Sequence, residues 1–417
     1  MKNNYKLIII FGIISIISAF ILWHKNNSVQ SANSAHFWSM QSIDTVKYSR
    51  DPARQYINDP SYDTTIDAQV KVIASTGATY VAIGTPYDKE FVPFLARWVA
   101  SARKYGLNVW FRGNFSGWEG WFDYPNITRA QHEQMLKQFI LDNGNLFQDG
   151  DIFTSCTECE NGGPGDPRQT GDTTGHRQFL IDEYQIGRNA FAQIGKNVAT
   201  NYFPMNADVA KLIMDPATTQ ALGGLVVIDH YVPTPENLNQ GVNDLAQSSG
   251  GKVVLGEFGA PIPDLQGNLT EQQQADWINS SLALLINNKN LVGLNYWTSF
   301  GGSTELWNDD KSPRLAVGVV KKYFAPNIHT GKIVNEVGQP ISGATVTSSE
   351  TTVNSDSNGQ FYLPFIGNSV KANVGAAGYY SIGIVSTGKQ QSVILKSKAE
   401  TMFFKLQKLL FNLTKIL

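Results

Sequence analysis

The stretch Lys252-Val253-Val254-Leu255-Gly256-Glu257-Phe258-Gly259 is an apolar run with one glutamate at its end. An apolar run of this length predicts a buried strand. A carboxylate at the end of such a strand is costly unless it is solvated, paired or used, because desolvation penalises its charged form. A second acidic pair, Glu158 and Glu160, follows another apolar run that begins at Ile152. We therefore expect carboxyl groups at the ends of two different strands.

The same alternation of short apolar runs and amphipathic stretches extends from about residue 36 to residue 326. The predicted strands are Phe37–Ser42, Tyr80–Gly84, Val109–Arg112, Ile152–Thr157, Val198–Tyr202, Leu225–His230, Val253–Glu257 and Leu291–Trp297. The clearest helical stretches between them are Phe91–Tyr105, Gln131–Leu141, His176–Ile194, Asp208–Leu222 and Gln272–Asn287. Strands that alternate with helices eight times predict an α/β protein, a closed (β/α)8 TIM barrel.

An open doubly wound sheet is the alternative fold. Against it, no glycine-rich phosphate-binding motif follows the first predicted strand. The formal net charge of −2 gives no electrostatic argument for binding nucleic acid. No cofactor is implied, and the acidic runs lack the spacing of a calcium loop, so we expect no metal site.

The composition changes after Phe324, where glycine, serine, threonine and valine dominate and no helical period is present. Short alternating runs separated by turn residues predict a small all-β sandwich over residues 329–396. The runs are Ala344–Thr347, Gln360–Leu363, Val370–Val374 and Ser392–Leu395.

In a (β/α)8 barrel the active site forms at the carboxyl ends of the strands. The predicted strand ends and the loop after the third strand carry polar and aromatic side chains. These are Arg112, Asn114, Trp118, Glu119, Trp121, Glu158, Glu160, Asn201, Tyr202, His230, Tyr231, Glu257 and Trp297. A purely structural barrel has no need for carboxylates, a guanidinium, an imidazole and indoles on one face.

Over its barrel region the chain resembles the retaining (β/α)8 glycoside hydrolases that include cellulases and β-mannanases. Glu257, His230-Tyr231 and Trp297 stand where these enzymes keep, respectively, a nucleophile, its orienting residues and the floor of a sugar subsite. The resemblance implies hydrolysis of a β-linked poly- or oligosaccharide without a cofactor. The long loops after the third, fourth and eighth predicted strands favour cleavage within the sugar chain rather than at its end. Glu257 would attack the anomeric carbon while a glutamate after the fourth strand donates a proton to the leaving oxygen.

The acid/base residue has two candidates. Strand parity favours Glu158 over Glu160, which would belong to the following loop. The enzymes that the chain resembles carry an asparagine immediately before this glutamate, whereas Thr157 stands here. The predicted substrate-binding residues are Arg112, Asn114, Trp118, Trp121, Asn201, Tyr202, His230, Tyr231 and Trp297.

Several of these residues also have structural interpretations. Glu257 and Arg112 could form an ion pair that only stabilises the fold. His230 and Trp297 could be core residues. Trp118 and Trp121 could pack under their own loop. The competing functions are a non-catalytic carbohydrate-binding surface protein on a degenerate barrel, and a cell-wall adhesin.

The sandwich resembles carboxypeptidase regulatory-like domains, which have a transthyretin-like fold. The segments that carry this likeness are Gly331–Val334, Gly338–Val346, Asp356–Phe361 and Gly378-Tyr379. Glycine, proline and asparagine between the alternating runs are turn formers, in agreement with this fold. No catalytic group is evident in this region, which favours a spacer or an accessory binding module.

Both ends of the chain suggest a membrane. Residues 1–35 hold Lys2 and Lys6, then an uncharged run over Leu7–Trp23, then a small-residue linker, which predicts a signal anchor or a cleaved signal. Either places the barrel on the extracytoplasmic side. Residues 397–417 predict a basic amphipathic helix that either lies on an anionic membrane surface or docks on protein.

The two cysteines, Cys156 and Cys159, lie beside the acidic pair. Neither a second Cys-x-x-Cys nor a histidine pair accompanies them, which argues against zinc. We expect two semi-buried thiols, with a local disulfide as the alternative.

Overall fold

The computed structural model describes residues 36–388 and 391–398 of the chain. Residues 36–326 form one compact unit, and the described residues from Asn327 onward belong to a second. The predicted anchor within residues 1–35 and the predicted amphipathic helix over Thr401–Leu417 lie outside the described residues. Within the described part of the chain, every helix is too short or too polar to span a bilayer.

Eight parallel strands form the first unit. They are β1 (Met40–Asp44), β2 (Tyr80–Ile83), β3 (Asn108–Phe111), β4 (Ile152–Phe153), β5 (Pro204–Asn206), β6 (Leu225–Asp229), β7 (Lys252–Phe258) and β8 (Leu291–Tyr296). Their order in the sheet is β4-β3-β2-β1-β8-β7-β6-β5, so the first strand pairs with the last.

The two ends of this sheet meet through the segment that precedes β5. The Phe153 amide donates to the Ala199 carbonyl at 2.8 Å, and the Ala199 amide donates to the Asp151 carbonyl at 3.0 Å. The sheet is therefore curled into the predicted TIM barrel, and the alternative of an open doubly wound sheet is wrong.

Helices connect consecutive strands around the barrel. They are Val46–Ser49, Ala53–Tyr56, Asp63–Ala74, Val92–Lys104, Ser116–Glu119, Arg129–Asp142, Pro167–Thr170, Thr173–Gln193, Ala207–Ile213, Pro216–Ala221, Pro235–Ser249, Pro263–Gln266, Glu271–Leu285 and Leu315–Phe324. The predicted helix Asp208–Leu222 is two helices in the structure. Pro216 starts the second one, because proline has no amide to continue a helix, and Asp215 caps it by accepting from the Thr218 amide at 2.8 Å.

The barrel interior is filled below the strand ends. Met40, Ala82, Trp110, Ile152, Val227 and Val254 form one buried cluster inside the barrel. The helix Val92–Lys104 covers the outside of the barrel with the predicted apolar stripe, Phe94, Leu95, Trp98, Val99 and Ala102. Because apolar side chains fill the interior, a binding site has room only above this layer.

The fifth strand lies later in the chain than predicted. The expected strand Val198–Tyr202 makes only the bridge at Ala199, and the ladder with β6 is formed by β5, Pro204–Asn206. The shift moves Asn206, rather than Asn201 or Tyr202, to the carboxyl end of the barrel.

The second unit contains two β-sheets. One sheet has the order β11-β10-β13-β14 and the other β12-β9-β15. The strands are β9 (Asn327–Asn335), β10 (Thr345–Ser348), β11 (Thr352–Asn354), β12 (Gln360–Phe365), β13 (Val370–Gly375), β14 (Ile382–Ser386) and β15 (Gln391–Leu395). Ile333, Phe361, Leu363, Val374 and Val393 share one buried core, so the predicted all-β fold of this region is confirmed.

Candidate active site

A cavity of about 180 Å³ lies at the carboxyl end of the barrel strands. Its walls come from the ends of β1, β2, β3, β4, β7 and β8 and from the loops that follow them. The lining residues are Asp44, Val46, Arg50, Gly84, Arg112, Glu119, Trp121, Thr157, Glu158, Glu257 and Trp297. Three glutamates, two arginines and two indoles therefore meet in one space.

Arg112 forms the floor of the cavity and is 5% exposed. Its Nη1 lies 2.5 Å from Asp44 Oδ2 and 3.0 Å from Glu257 Oε1, and its Nη2 lies 3.4 Å from Asp229 Oδ2. One buried cation thus faces three carboxyl groups. Burial, followed by the charge of Glu257, raises the pKa of Asp229 well above its usual range.

Glu257 is held from both sides of its carboxyl group. Arg112 contacts Oε1, and the Tyr231 hydroxyl donates to Oε2 at 2.8 Å. Burial raises the pKa of Glu257 to about 7, and the charges of Glu158 and Asp44 act in the same direction, whereas Arg112 and the Tyr231 hydrogen bond lower it. The two contacts fix the carboxyl group in one orientation at the cavity wall.

Glu158 lines the same cavity from a left-handed backbone conformation, with φ 45°. Asn161 Nδ2 donates to its Oε2 at 3.1 Å, and Asn206 Nδ2 lies 3.5 Å from its Oε1. Burial and, second, the charge of Glu160 raise the pKa of Glu158. This environment favours a protonated carboxyl group.

Glu160 does not line the cavity and is 1% exposed. Its Oε1 accepts from the Asn206 amide at 2.7 Å and from Asn206 Nδ2 at 3.1 Å. The geometry therefore places Glu158, rather than Glu160, in the same space as Glu257.

The aromatic residues at the cavity differ in accessibility. Trp121 and Trp297 line it and are half-buried, and the Tyr231 ring meets the Trp297 ring edge-on at 6.1 Å. The Arg50 guanidinium lies over Trp121 at 4.8 Å from the ring centroid. Two indole faces at one cavity are suited to stacking on a sugar ring.

Trp118 and Asn114 are corrections to the predicted substrate contacts. Trp118 is 3% exposed, stacks on Phe179 at 4.8 Å, and donates from its indole nitrogen to the Cys159 carbonyl at 3.2 Å. The indole therefore packs under its own loop. Asn114 is fully buried behind Glu119 and does not line the cavity.

His230 is a further correction, because its side chain points away from the cavity. A Cβ placed on Gly241 would lie 2.1 Å from its Nε2, so the imidazole packs against the helix Pro235–Ser249. Side chains alternate along a strand, and Val227, Asp229 and Tyr231 share the inward direction. This two-residue period is the signal that would have identified Asp229 from the sequence.

Asn201 and Tyr202 also lie outside the cavity. The Tyr202 ring packs against Trp110 at 5.5 Å, within the apolar cluster below the strand ends. The polar residue that β5 supplies is Asn206. Asp44 was missed for a related reason, since the first strand was predicted to end at Ser42 and continues to Asp44.

The expectation of two free thiols is wrong. Cys156 and Cys159 form a disulfide that encloses Thr157 and Glu158. Both cysteines are buried, and Asn114 Nδ2 lies 3.5 Å from Cys156 Sγ. The loop that presents Glu158 is therefore closed covalently.

Comparison with solved structures gives glycoside hydrolases as neighbours. A GH5_18 variant from Bifidobacterium longum subsp. longum in complex with Manb1-4GlcNAc is 16% identical, covers 73% of this chain and 86% of that one, and has a TM-score of 0.52. A GH5_18 variant from Streptomyces cattleya in complex with the same disaccharide is 13% identical, covers 71% and 84%, and has a TM-score of 0.51.

A longer neighbour, Bacteroides uniformis beta-glucuronidase 2, is 10% identical with a TM-score of 0.45, and this chain spans 44% of its length. The sequence itself matches no family model, and no curated protein sequence is similar to it. At these identities the likeness concerns the fold. The fold is a TIM barrel.

Replacement of Arg112 by methionine is expected to destabilise the protein by about 3–5 kcal/mol, because three carboxyl groups lose the buried cation that they share. The loss should be larger at pH 8 than at pH 5, since protonation at low pH relieves the repulsion that remains. Urea unfolding at both pH values measures the difference.

Lys211→Met is the control, because Lys211 pairs with Asp208 at the exposed surface at 3.7 Å. This control should leave the unfolding free energy nearly unchanged. A loss in Arg112→Met that is the same at both pH values would contradict the shared-cation interpretation.

Proposed function

We propose that this chain is a retaining glycoside hydrolase, with Glu257 as the nucleophile and Glu158 as the acid/base. The observation that carries the proposal is that these two carboxyl groups, from the ends of β7 and β4, line one cavity in unlike environments. Arg112 and Tyr231 favour the charged form of Glu257, while burial and the nearby Glu160 favour the protonated form of Glu158.

The reaction would proceed in two displacements. Glu257 attacks the anomeric carbon, and the proton of Glu158 passes to the leaving glycosidic oxygen as the bond to it breaks. Glu158, now a carboxylate, takes a proton from water, and the resulting hydroxide displaces Glu257 from the sugar. Trp297 and Trp121 would stack on the sugar in the cavity.

The substrate class is a β-linked poly- or oligosaccharide. The long loops after β3, β4 and β8 favour attack within a chain, and product lengths measured early in digestion would test this. We also propose export of the barrel to the extracytoplasmic side. The Cys156–Cys159 disulfide supports this, because disulfides persist in oxidising compartments.

The proposed roles predict distinct chemical rescue. Glu158→Ala and Glu257→Ala should each lose about 10²-fold or more of kcat on natural substrates. With a 4-nitrophenyl β-glycoside and azide, Glu158→Ala should yield the β-glycosyl azide, because the nucleophile remains. Glu257→Ala should yield the α-glycosyl azide, because azide replaces the nucleophile. Product anomers are read by proton NMR.

Glu160→Gln is the control, and it should retain activity. The panel holds soluble β-glucans, β-mannans and Manb1-4GlcNAc, the disaccharide bound in the two GH5_18 neighbours. Binding by wild type without cleavage of any member would favour the non-catalytic carbohydrate-binding alternative. If Glu160→Gln loses activity and Glu158→Ala retains it, the acid/base residue is Glu160 and not Glu158.

The pH dependence follows from the pKa of Glu257. The nucleophile must be ionised, so kcat/KM should fall as the pH drops through about 7. Tyr231→Phe removes a hydrogen bond that lowers this pKa, so the acid limb should move to higher pH. Tyr202 is a half-buried tyrosine packed against the apolar layer, so Tyr202→Phe should leave the limb in place. An unmoved limb in Tyr231→Phe would argue against Glu257 as the titrating group.

The disulfide predicts a fourth result. Glu158 lies between the bonded cysteines, so Cys156→Ser/Cys159→Ser should lower kcat by up to about 100-fold through misplacement of the acid/base. The kcat of the double variant is compared with that of wild type, oxidised and reduced, with thiols counted by mass spectrometry. Unchanged kcat in a fully reduced wild type would contradict a positioning role.

A further inference from the structure

We propose that Glu119 is a specificity-determining residue that donates a hydrogen bond from Oε2 to a hydroxyl group of the sugar bound in the cavity. The inference rests on the proposed function and concerns how the same cavity selects its substrate. Glu119 ends the short helix Ser116–Glu119 in the loop after β3, and its side chain lines the cavity together with Glu158, Glu257 and Trp297.

The orientation of the Glu119 carboxyl group is set by Asn114. The Phe115 amide donates to Asn114 Oδ1 at 2.8 Å, which identifies this atom as the oxygen of the side-chain amide. Asn114 Nδ2 therefore faces Glu119 and donates to its Oε1. Oε1 is thus the acceptor of the carboxyl group, and a proton on Glu119 belongs on Oε2.

A buried histidine supports Asn114 from behind. His132 Nε2 donates to Asn114 Oδ1 at 2.9 Å, and His132 Nδ1 lies 3.0 Å from Glu183 Oε1. His132, Asn114 and Glu183 are each at most 1% exposed. Nε2 donates to an oxygen and Nδ1 contacts Glu183, so both ring nitrogens are engaged and the chain of contacts holds Asn114 in one orientation.

The rings around His132 leave it no alternative position. Phe115, Trp118 and Phe179 surround the imidazole with centroid distances of 5.1, 4.9 and 5.4 Å. A rigid chain of four polar side chains thus runs from the helix layer to the cavity and ends at Glu119. Asn114, which does not reach the cavity itself, acts as a positioning residue.

The neutral form of Glu119 fits its surroundings. Within the described residues no cation lies at ion-pair distance from it, and Arg50, which also lines the cavity, is paired with Asp51 at 2.8 Å. Burial raises the pKa of Glu119 to about 8, with the charges of Glu158 and Glu160 acting in the same direction, while the Asn114 hydrogen bond and the charge of Arg50 lower it. A protonated carboxyl group has one donor to offer.

That donor has no partner among the residues that the structure describes. Among the described residues the only hydrogen bond of the Glu119 carboxyl group is the one from Asn114, and it uses Oε1. Oε2 belongs to a side chain that lines the cavity, so a ligand oxygen can complete it. The chemical class is a sugar hydroxyl group that accepts a hydrogen bond while the ring stacks on an indole.

The test compares the loss caused by changing Glu119 on a parent substrate with the loss on substrates that lack one hydroxyl group each. The substrates are the 4-nitrophenyl β-glycoside that wild type cleaves fastest and its 2-, 3-, 4- and 6-deoxy analogues. Glu119→Ala should lose roughly 10-fold in kcat/KM on the parent compound. It should lose almost nothing more on the one analogue that lacks the contacted hydroxyl. Glu119→Gln keeps a donor at the Oε2 position, so it should retain activity within about threefold of wild type.

Glu305→Gln is the matched control, because Glu305 is half-buried, pairs with Arg314 at 3.5 Å and does not line the cavity. It should behave as wild type on every substrate. An equal loss by Glu119→Ala on all five compounds would reduce Glu119 to a structural role and overturn the proposal. Equal damage in Glu119→Gln and Glu119→Ala would overturn the donor assignment.

Failure of the proposed function is separable from failure of this inference. If wild type cleaves none of the glycosides, the proposed function is wrong. The same comparison is then made on dissociation constants, measured by calorimetry with the methyl β-glycosides and their deoxy analogues. A selective loss of affinity in Glu119→Ala for the parent compound would support the role of Glu119 in binding, and a uniform loss would overturn it.

Discussion

The carboxyl end of this barrel depends on one buried guanidinium. Arg112 contacts carboxyl groups contributed by β1, β6 and β7, and its guanidinium also lies 5.1 Å from the centroid of the Trp110 ring in the apolar layer below. A buried charge is tolerated only when it is well paired, and these partners are brought together only when the sheet is closed. The barrel must therefore close for this site to assemble.

Carboxyl groups outnumber cations at this end of the barrel, so the glutamates there do not all have the same kind of partner. Glu257 has a cation and a phenol, Glu158 has amides and an acidic neighbour, and Glu119 has one amide. Burial raises the pKa of all three glutamates, and their partners differ. Unlike environments for like residues are what acid and base roles require.

Strand ends were the most informative feature of the sequence. Glu257, Tyr231 and Trp297 were found because regular apolar runs end just before them or at them. Asn206 was missed because β5 is three residues long and begins with a proline, so no apolar run marks it. Asp229 was passed over for His230, although the two-residue period of β6 distinguishes them. The disulfide forms because the loop after β4 brings Cys156 and Cys159 together. The path of that loop cannot be read from residue types alone.

The expected asparagine before the proposed acid/base glutamate is absent, and other groups of the site lie around that glutamate. Thr157 uses its hydroxyl to donate to the Arg112 carbonyl at 3.0 Å, which ties the loop after β4 to the end of β3. Amide groups near Glu158 come instead from Asn161 in the same loop and from Asn206 at the end of β5. Asn206 also donates to Glu160 Oε1 from its backbone amide and from its side chain, and these contacts hold the second glutamate outside the cavity that Glu158 lines. Asn206, at the end of the neighbouring strand β5, thus supplies an amide near Glu158 in place of the expected asparagine. We expect the missing asparagine to affect how a substrate hydroxyl is bound, and not the proposed pair of carboxyl groups.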